Sequence, residues 1–334
     1  MSENSLVVSL GSIGRRHVRN LRRLRPHARI GVLHLSGAPT GPVPEGVDCR
    51  FMSMDEARAF RPSAAIVCSP ASTHLAVARA LVEDGVPLLI EKPIAHELQG
   101  LAELLALAAN RAVPLMTGYN LRFLPSLVET RRLVVSGAIG DVLGVRAEVG
   151  QYLPDWRPGA RYQDSVSARQ ALGGGALLEL SHEIDYLYWM FGAPARLLAT
   201  GGRYSALEID VEDMVSLTLE YERPRRLVNI HLDFLQRSPS RTCKFIGSEG
   251  TLVWNGIADV IDVYRSANGQ WSRIEVPAVP DKNTMYLDEL SHFLQAVERR
   301  SVPCIDGAQG IAVLRIVEAV RESIIRRAAV EISH

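Results

Sequence analysis

The sequence predicts an α/β domain built on a parallel sheet, followed by an α+β domain carrying a large, mostly antiparallel open sheet. Three observations predict it. Across the first 120 residues, short apolar runs alternate with amphipathic stretches of helical length. Beyond residue 120, strand-like stretches follow one another across short turns. A length of 334 residues leaves room for two cores at roughly 150 residues per domain.

The runs 6–10, 30–35, 64–68, 87–90 and 115–118 are short, apolar and bounded by turn residues, so they read as buried strands. Segments such as 74–84 and 97–110 lie between them with helical periodicity, which sets helices on both faces of a parallel sheet. Residues 36–46 hold three prolines and three glycines and read as a loop inside this domain. From residue 121 a helix is expected at 126–135, then strands at 142–151, 196–200, 214–221, 227–234, 242–246, 251–254, 260–264 and 272–276. One helix, 176–191, interrupts them, and helices 285–299 and 306–327 close the chain, the last with Asp306 as its N-cap. The division expected is 1–120 and 121–334, with the last helix packing back on the first domain.

Lys plus Arg and Asp plus Glu both number 37, and this zero net charge argues against a nucleic-acid binder. No apolar run reaches membrane-spanning length and no signal pattern opens the chain, so a cytoplasmic protein is expected. The four cysteines have no metal spacing and read as buried thiols; no metal is expected. Only Lys92, Lys244 and Lys282 are lysines among the 37 basic residues. Genomic drift accounts for the scarcity, but a retained lysine suits a role needing a compact, titratable ammonium.

The strand at 6–10 runs into Gly11-Ser12-Ile13-Gly14 and then a helix. A glycine turn at a helix N-terminus presents backbone N–H groups and a favourable dipole to a pyrophosphate. Against the dinucleotide fingerprint G-x-G-x-x-G, Ser9 replaces the first glycine. A plain tight turn is the alternative; the strand–helix–strand context favours a Rossmann dinucleotide site. The acid that would bind the ribose of NAD is missing: no Asp or Glu occurs between Glu3 and Glu45, while seven arginines do. Either NAD or NADP fits, with NADP slightly favoured and Ser36 as a donor to its 2′-phosphate. Most of those arginines read equally as one solvated helix face.

Glu91-Lys92-Pro93 follows a strand at its carboxyl end, where ligands sit in open α/β sheets. The pre-proline position bars Lys92 from the α region, and its amine there suits hydrogen bonding to a substrate hydroxyl. A surface lysine capping a loop is the alternative. After Gly173-Gly174-Gly175, helical spacing puts Glu179, His182, Glu183 and Tyr186 on one face, and a histidine beside a carboxylate is a general base. A structural histidine is the other reading. In 152–158, Trp156 suits stacking on a sugar ring or filling the domain junction, and Arg157 suits a phosphate or carboxylate. Arg237 and Arg241 are further candidates for an anionic substrate.

These pieces together resemble the Gfo/Idh/MocA family: Gly11-Ser12-Ile13-Gly14-Arg15-Arg16-His17, Cys68-Ser69-Pro70 with His74, Glu91-Lys92-Pro93, Gly118-Tyr119-Asn120-Leu121-Arg122-Phe123, and Gly173-Gly174-Gly175 through His182 to Asp185. The resemblance implies a two-domain, nicotinamide-dependent oxidoreductase of sugars and polyols, commonly a homodimer or homotetramer through the C-terminal sheet. It implies that Ser9, Gly11, Ser12, Ile13 and Gly14 hold the pyrophosphate, and that Cys68, Ser69, Pro70, His74 and Glu91 line the cofactor cleft. Asn120 would sit between cofactor and substrate, with Arg122 on the substrate side. Lys92 would touch the reacting hydroxyl, and His182 would be the acid/base. The family often has a cis peptide at the position of Lys92–Pro93. Many members carry an Asp four residues before the histidine; here Leu178 stands there, and Glu179 is the nearest acid. The stretch 181–185 resembles members acting on nucleotide-activated sugars. Redox-neutral glycoside cleavage by transient oxidation and elimination, and non-catalytic dinucleotide sensing, are the alternative functions.

Overall fold

The computed structural model describes residues 4–35, 43–276 and 281–332. In chain order the elements are β1 (Asn4–Val8), α1 (Ser12–Leu24), β2 (Arg29–Leu33), β3 (Cys49–Phe51), α2 (Met54–Ala59), β4 (Ala64–Val67), α3 (Ala71–Glu83), β5 (Leu88–Glu91), α4 (Leu101–Asn110) and β6 (Leu115–Gly118). There follow α5 (Pro125–Val135), β7 (Val142–Gly150), α6 (Ala176–Glu179), α7 (His182–Phe191), β8 (Arg196–Gly202), β9 (Met214–Glu222), β10 (Arg225–Asp233), β11 (Ser240–Gly247), β12 (Gly250–Asn255), β13 (Val260–Arg265), β14 (Gln270–Ile274), α8 (Thr284–Arg299), α9 (Gly307–Arg326) and β15 (Val330–Glu331).

The chain divides into two compact units, residues 1–120 with 281–314, and 121–280 with 315–334. The segment 281–314 joins the first unit, although it follows the second in sequence. The reason is a docking surface on α1: α8 packs against it, with Arg16 stacked 4.2 Å over the Tyr286 ring and the amides of Asn20 and Asn283 paired at 2.8 Å.

The first unit carries a six-stranded parallel sheet in the order β3-β2-β1-β4-β5-β6. Strands β1, β4 and β5 are buried on both faces, which is why they read as unbroken apolar runs rather than alternating ones. The order reverses between β1 and β4, the switch point at which such sheets bind ligands. Helix α1 turns His17, Val18 and Leu21 inward and leaves its first and last turns basic or uncharged. Two elements go beyond the sequence expectation, β3 and α2. The latter starts at Ser53, whose hydroxyl accepts from the Glu56 amide while the Glu56 carboxylate accepts from the Met52 amide. This S-x-x-E cap is a legible start signal.

The second unit carries a nine-stranded sheet in the order β14-β13-β12-β11-β7-β10-β9-β8-β15. All its pairs are antiparallel except β7 with β10. Strict alternation along β9 and β10 buries Val215, Leu217, Leu219, Val228, Ile230 and Leu232 on one face. The other face stays open, with Leu198 and Leu227 half exposed on it.

The helix expected at 176–191 is two helices. The chain leaves helical geometry at Leu180, and the Ser181 hydroxyl turns back onto the Leu178 carbonyl at 2.9 Å. Serine offers its backbone this local alternative to the helix ladder. The break separates Glu179 from His182, so these two do not share one continuous helical face.

Candidate active site

The glycine turn is built for close approach. Ser9 adopts a left-handed φ of 73°, the conformation for which the fingerprint normally supplies glycine, and its amide donates to the Leu33 carbonyl. Gly14 lies against Ser9: a Cβ there would stand 2.1 Å from the Ser9 carbonyl oxygen. At Gly11 a Cβ would meet nothing within 4 Å. Gly14 therefore serves packing of α1 on β1, and Gly11 leaves open space over the helix N-terminus. No side chain caps α1 and its first turn holds no acid. Its first N–H groups, with Gly11, Ser12 and Ile13 at the surface, fit a dinucleotide pyrophosphate.

Three further strands of the same sheet bring the remaining first-unit candidates to the same edge. Cys68, Ser69 and Pro70 follow β4, Lys92 follows β5 after its last residue Glu91, and Asn120 follows β6. Cys68 is buried, and burial together with the Glu91 and Glu289 carboxylates holds its thiol well above the usual range, so it is an inert wall. His74 is buried; its Nε2 lies 2.7 Å from the Ser69 carbonyl oxygen and its Nδ1 3.0 Å from that of Pro93. Burial pushes the His74 imidazole below its ordinary value, although both contacts pull the other way. It thus ties the Ser69 turn to the Lys92 turn. Glu91 faces His17, with Oε1 2.7 Å from Nε2, and the Lys92–Pro93 peptide is cis.

At the end of β2, where an acid would mark an NAD ribose, stands His34. Its imidazole sits below its usual value through burial and then through the guanidinium groups of Arg50 and Arg15. The sequence reading missed this basic group; the signal was the basic β3 residue Arg50 beside an acid-free strand end. Ser36 lies outside the described residues.

In the second unit, His182 is the first residue of α7 and is 9% exposed. Two buried ion pairs flank it. Glu183 accepts from Arg241 Nε at 2.9 Å, and Asp185 is gripped bidentately by Arg122 through Nε at 3.0 Å and an η nitrogen at 2.6 Å. Burial pushes the Asp185 carboxyl up, and Arg122 pulls it back. Arg122, expected on the substrate side, and Arg241 are therefore committed to holding α7. Tyr186 is buried beside Cys243, and burial drives both groups up, the Glu183 carboxylate adding to each. Glu179 ends the separate short helix α6 and is partly exposed. That helix starts at Gly175, whose φ of 108° and closeness to Glu212 admit no side chain.

The loop after β7 forms a cavity of about 290 Å³ lined in part by Trp156, Arg157, Arg161 and Tyr162. Trp156 packs edge-on against Phe234 at 5.2 Å and donates to the Gln151 carbonyl, so its ring is a fixed wall of that cavity. Arg157 is exposed, and Arg237 stacks 3.5 Å over the Tyr152 ring.

Residues 4–119 match the model of the oxidoreductase family with an NAD-binding Rossmann fold, and residues 127–253 match that of the GFO/IDH/MocA C-terminal domain. An uncharacterized oxidoreductase of Synechocystis sp. is 32% identical over 141 residues, 41% of this chain and 36% of that protein. A myo-inositol dehydrogenase of Streptomyces leeuwenhoekii is 29% identical over 215 residues, 64% of this chain and 63% of that one. The chain thus matches about a third of the first relative's length and less than two thirds of the second's. In fold, levoglucosan dehydrogenase solved with NADH superimposes at a TM-score of 0.86 over 99% of both chains, at 17% identity. With the glycine turn, the Glu-Lys-Pro strand end and both halves matched in order, the chain belongs to the Gfo/Idh/MocA family of oxidoreductases.

Proposed function

We propose that the protein is a nicotinamide-dependent dehydrogenase or ketoreductase acting at a secondary alcohol or ketone of a sugar, polyol or nucleotide-activated sugar. The observation that carries this reading is the row of strand ends: the open glycine turn after β1 and Lys92 after β5 share one edge of one parallel sheet. Relatives named as inositol and levoglucosan dehydrogenases support the substrate class. A bound nicotinamide supplies the hydride acceptor or donor. Gly11, Ser12 and Ile13 hold its pyrophosphate, and Asn120 orients the reacting group. Lys92 donates to the reacting oxygen and steadies the charge that develops there. His182 removes the hydroxyl proton in oxidation and returns it in reduction, with Glu179 beside it in sequence as the nearest acid outside the clamped pair.

NADP is the favoured cofactor. The guanidinium groups of Arg50 and Arg15 lie close enough to act on His34, which stands where an NAD enzyme carries an acid, and their positive charge suits a 2′-phosphate. The open sheet face with Leu198 and Leu227 suits self-association into a homodimer or homotetramer. The four cysteines are thiols, the form a reducing cytoplasm maintains.

The test is nicotinamide absorbance with NAD or NADP against a panel of sugars, polyols and nucleotide sugars. A substrate-dependent change is expected, at lower cofactor concentration for NADP. Cofactor binding with no change across the panel would overturn the reading, and light scattering on the same sample reads the oligomeric state.

A further inference from the structure

We propose that Glu289 is a positioning residue for Lys92, acting through a buried cluster with His17 and Glu91. The proposal rests on the reading of Lys92 as the amine at the reacting oxygen.

Lys92 stands at the turn that leaves β5. Pro93 contributes no N–H and restricts the conformation of the residue before it. The Lys92 amide lies 3.3 Å from Glu91 Oε2, and the Pro93 carbonyl meets His74 Nδ1 at 3.0 Å. Where the Glu91 carboxylate is held therefore bears on the direction of the chain at Lys92. Its other oxygen is held by His17 at 2.7 Å. Glu289, on α8, offers a carboxylate oxygen to the same cluster, in which one polar atom from each of the three residues lies within 4.8 Å of the others. His17 and Glu289 are wholly buried and Glu91 is 9% exposed. In such a water-poor setting, charged and polar groups a few ångströms apart act strongly on one another.

The cluster joins three distant parts of the chain. His17 comes from α1, Glu91 from the end of β5, and Glu289 from a helix nearly two hundred residues downstream of Lys92. That helix is seated on α1 by the Asn20–Asn283 and Arg16–Tyr286 contacts. Seating α8 thus delivers Glu289 to the brace that sets Lys92.

The scarcity of lysine gives a direct readout. With only three lysines in the chain, an amine acetylating reagent followed by mass spectrometry reports Lys92 against Lys244 as an internal reference on β11. In Glu289→Ala, labelling of Lys92 relative to Lys244 is expected to rise about threefold, as a local brace is lost. With the preferred substrate, kcat falls about tenfold while cofactor affinity holds, the signature of a misplaced rather than missing group. Glu289→Gln, which keeps the shape and hydrogen-bonding reach, retains both labelling and kcat near those of the unaltered protein. Glu289→Asp, shorter by one methylene, gives an intermediate labelling rate and serves where the alanine variant does not fold.

Unchanged Lys92 labelling in the alanine and aspartate variants overturns the proposal. So does a glutamine variant as impaired as alanine, or a stoichiometric metal ion in the purified protein, which would make the three residues a chelate. If Lys92→Ala turns substrate over normally, the functional reading falls instead; the labelling comparison, which needs no turnover, still decides whether Glu289 positions Lys92.

Discussion

Lys92 and His182 are placed by opposite means. Lys92 directly follows a strand of the parallel sheet whose backbone ladder runs up to Glu91, and its amide meets the Glu91 side chain. His182 starts a helix that begins after a break, and two ion pairs, Glu183 with Arg241 and Asp185 with Arg122, hold that helix at its first turn. The difference teaches where each group is vulnerable. Around Lys92 the chemistry is separable from the fold; around His182 it is not, because the residues that aim the histidine also fill the core.

The sharpest way to break this comparison is to remove each group itself. Lys92→Ala is expected to lower turnover by about 10²–10⁴-fold, the range for a lost proton-handling group, while the melting temperature and cofactor affinity stay unchanged. Calorimetry, cofactor titration and nicotinamide absorbance on one preparation test this. Turnover within a few-fold of the unaltered protein refutes the role.

The next effect is on stability. Arg122→Ala strips the partner from a wholly buried Asp185, and breaking such a pair costs about 3–5 kcal/mol. Arg241→Ala leaves Glu183 buried, but the Arg241 side chain is 20% exposed, so water reaches the gap and a smaller loss of about 1–3 kcal/mol is expected. Urea midpoints rank the two. Equal, negligible losses would show that α7 is held by apolar packing alone.

A third contrast lies within the glycine turn. Gly14→Ala forces a Cβ toward the Ser9 carbonyl and is expected to lose about 1–3 kcal/mol of stability. Gly11→Ala meets open space, so stability holds and cofactor affinity falls. A Gly11 variant that binds cofactor normally would remove the pyrophosphate from this turn.

The smallest effect is on pH dependence. Burial lowers His74 below its ordinary value of 6.5, so the unfolded chain binds a proton that the folded one refuses. Stability then rises with pH through the window beneath 6.5 and is lost on acidification; His34 and His292 are shifted the same way and add to the slope. Urea midpoints between mildly acid and neutral pH are expected to fall toward acid, and His74→Gln to flatten that fall.

Much of the first unit was legible because its signals are local. The glycine turn, the Ser69-Pro70 turn and Lys92 each sit at a strand end that an apolar run announces. The S-x-x-E start of α2 was equally local and went unread. The second unit was less legible. Alternating strands announced a sheet, but neither the parallel pairing of β7 with β10 nor the break at Ser181 has a periodic signature. Arg122 was placed on the substrate side and Arg241 read as a cation for an anionic substrate, because nothing near them in sequence supplies Asp185 or Glu183.

By itself the sequence determined the alternation of strand and helix, the anion-binding turn and the lysine at a strand end, since each follows from the φ/ψ preferences and periodicity of a few neighbouring residues. The tertiary structure alone decided which charges meet. Arg122 found Asp185, and His17 found Glu91, because burial admits a charge only beside a partner, and those partners come from remote segments that packing brings together.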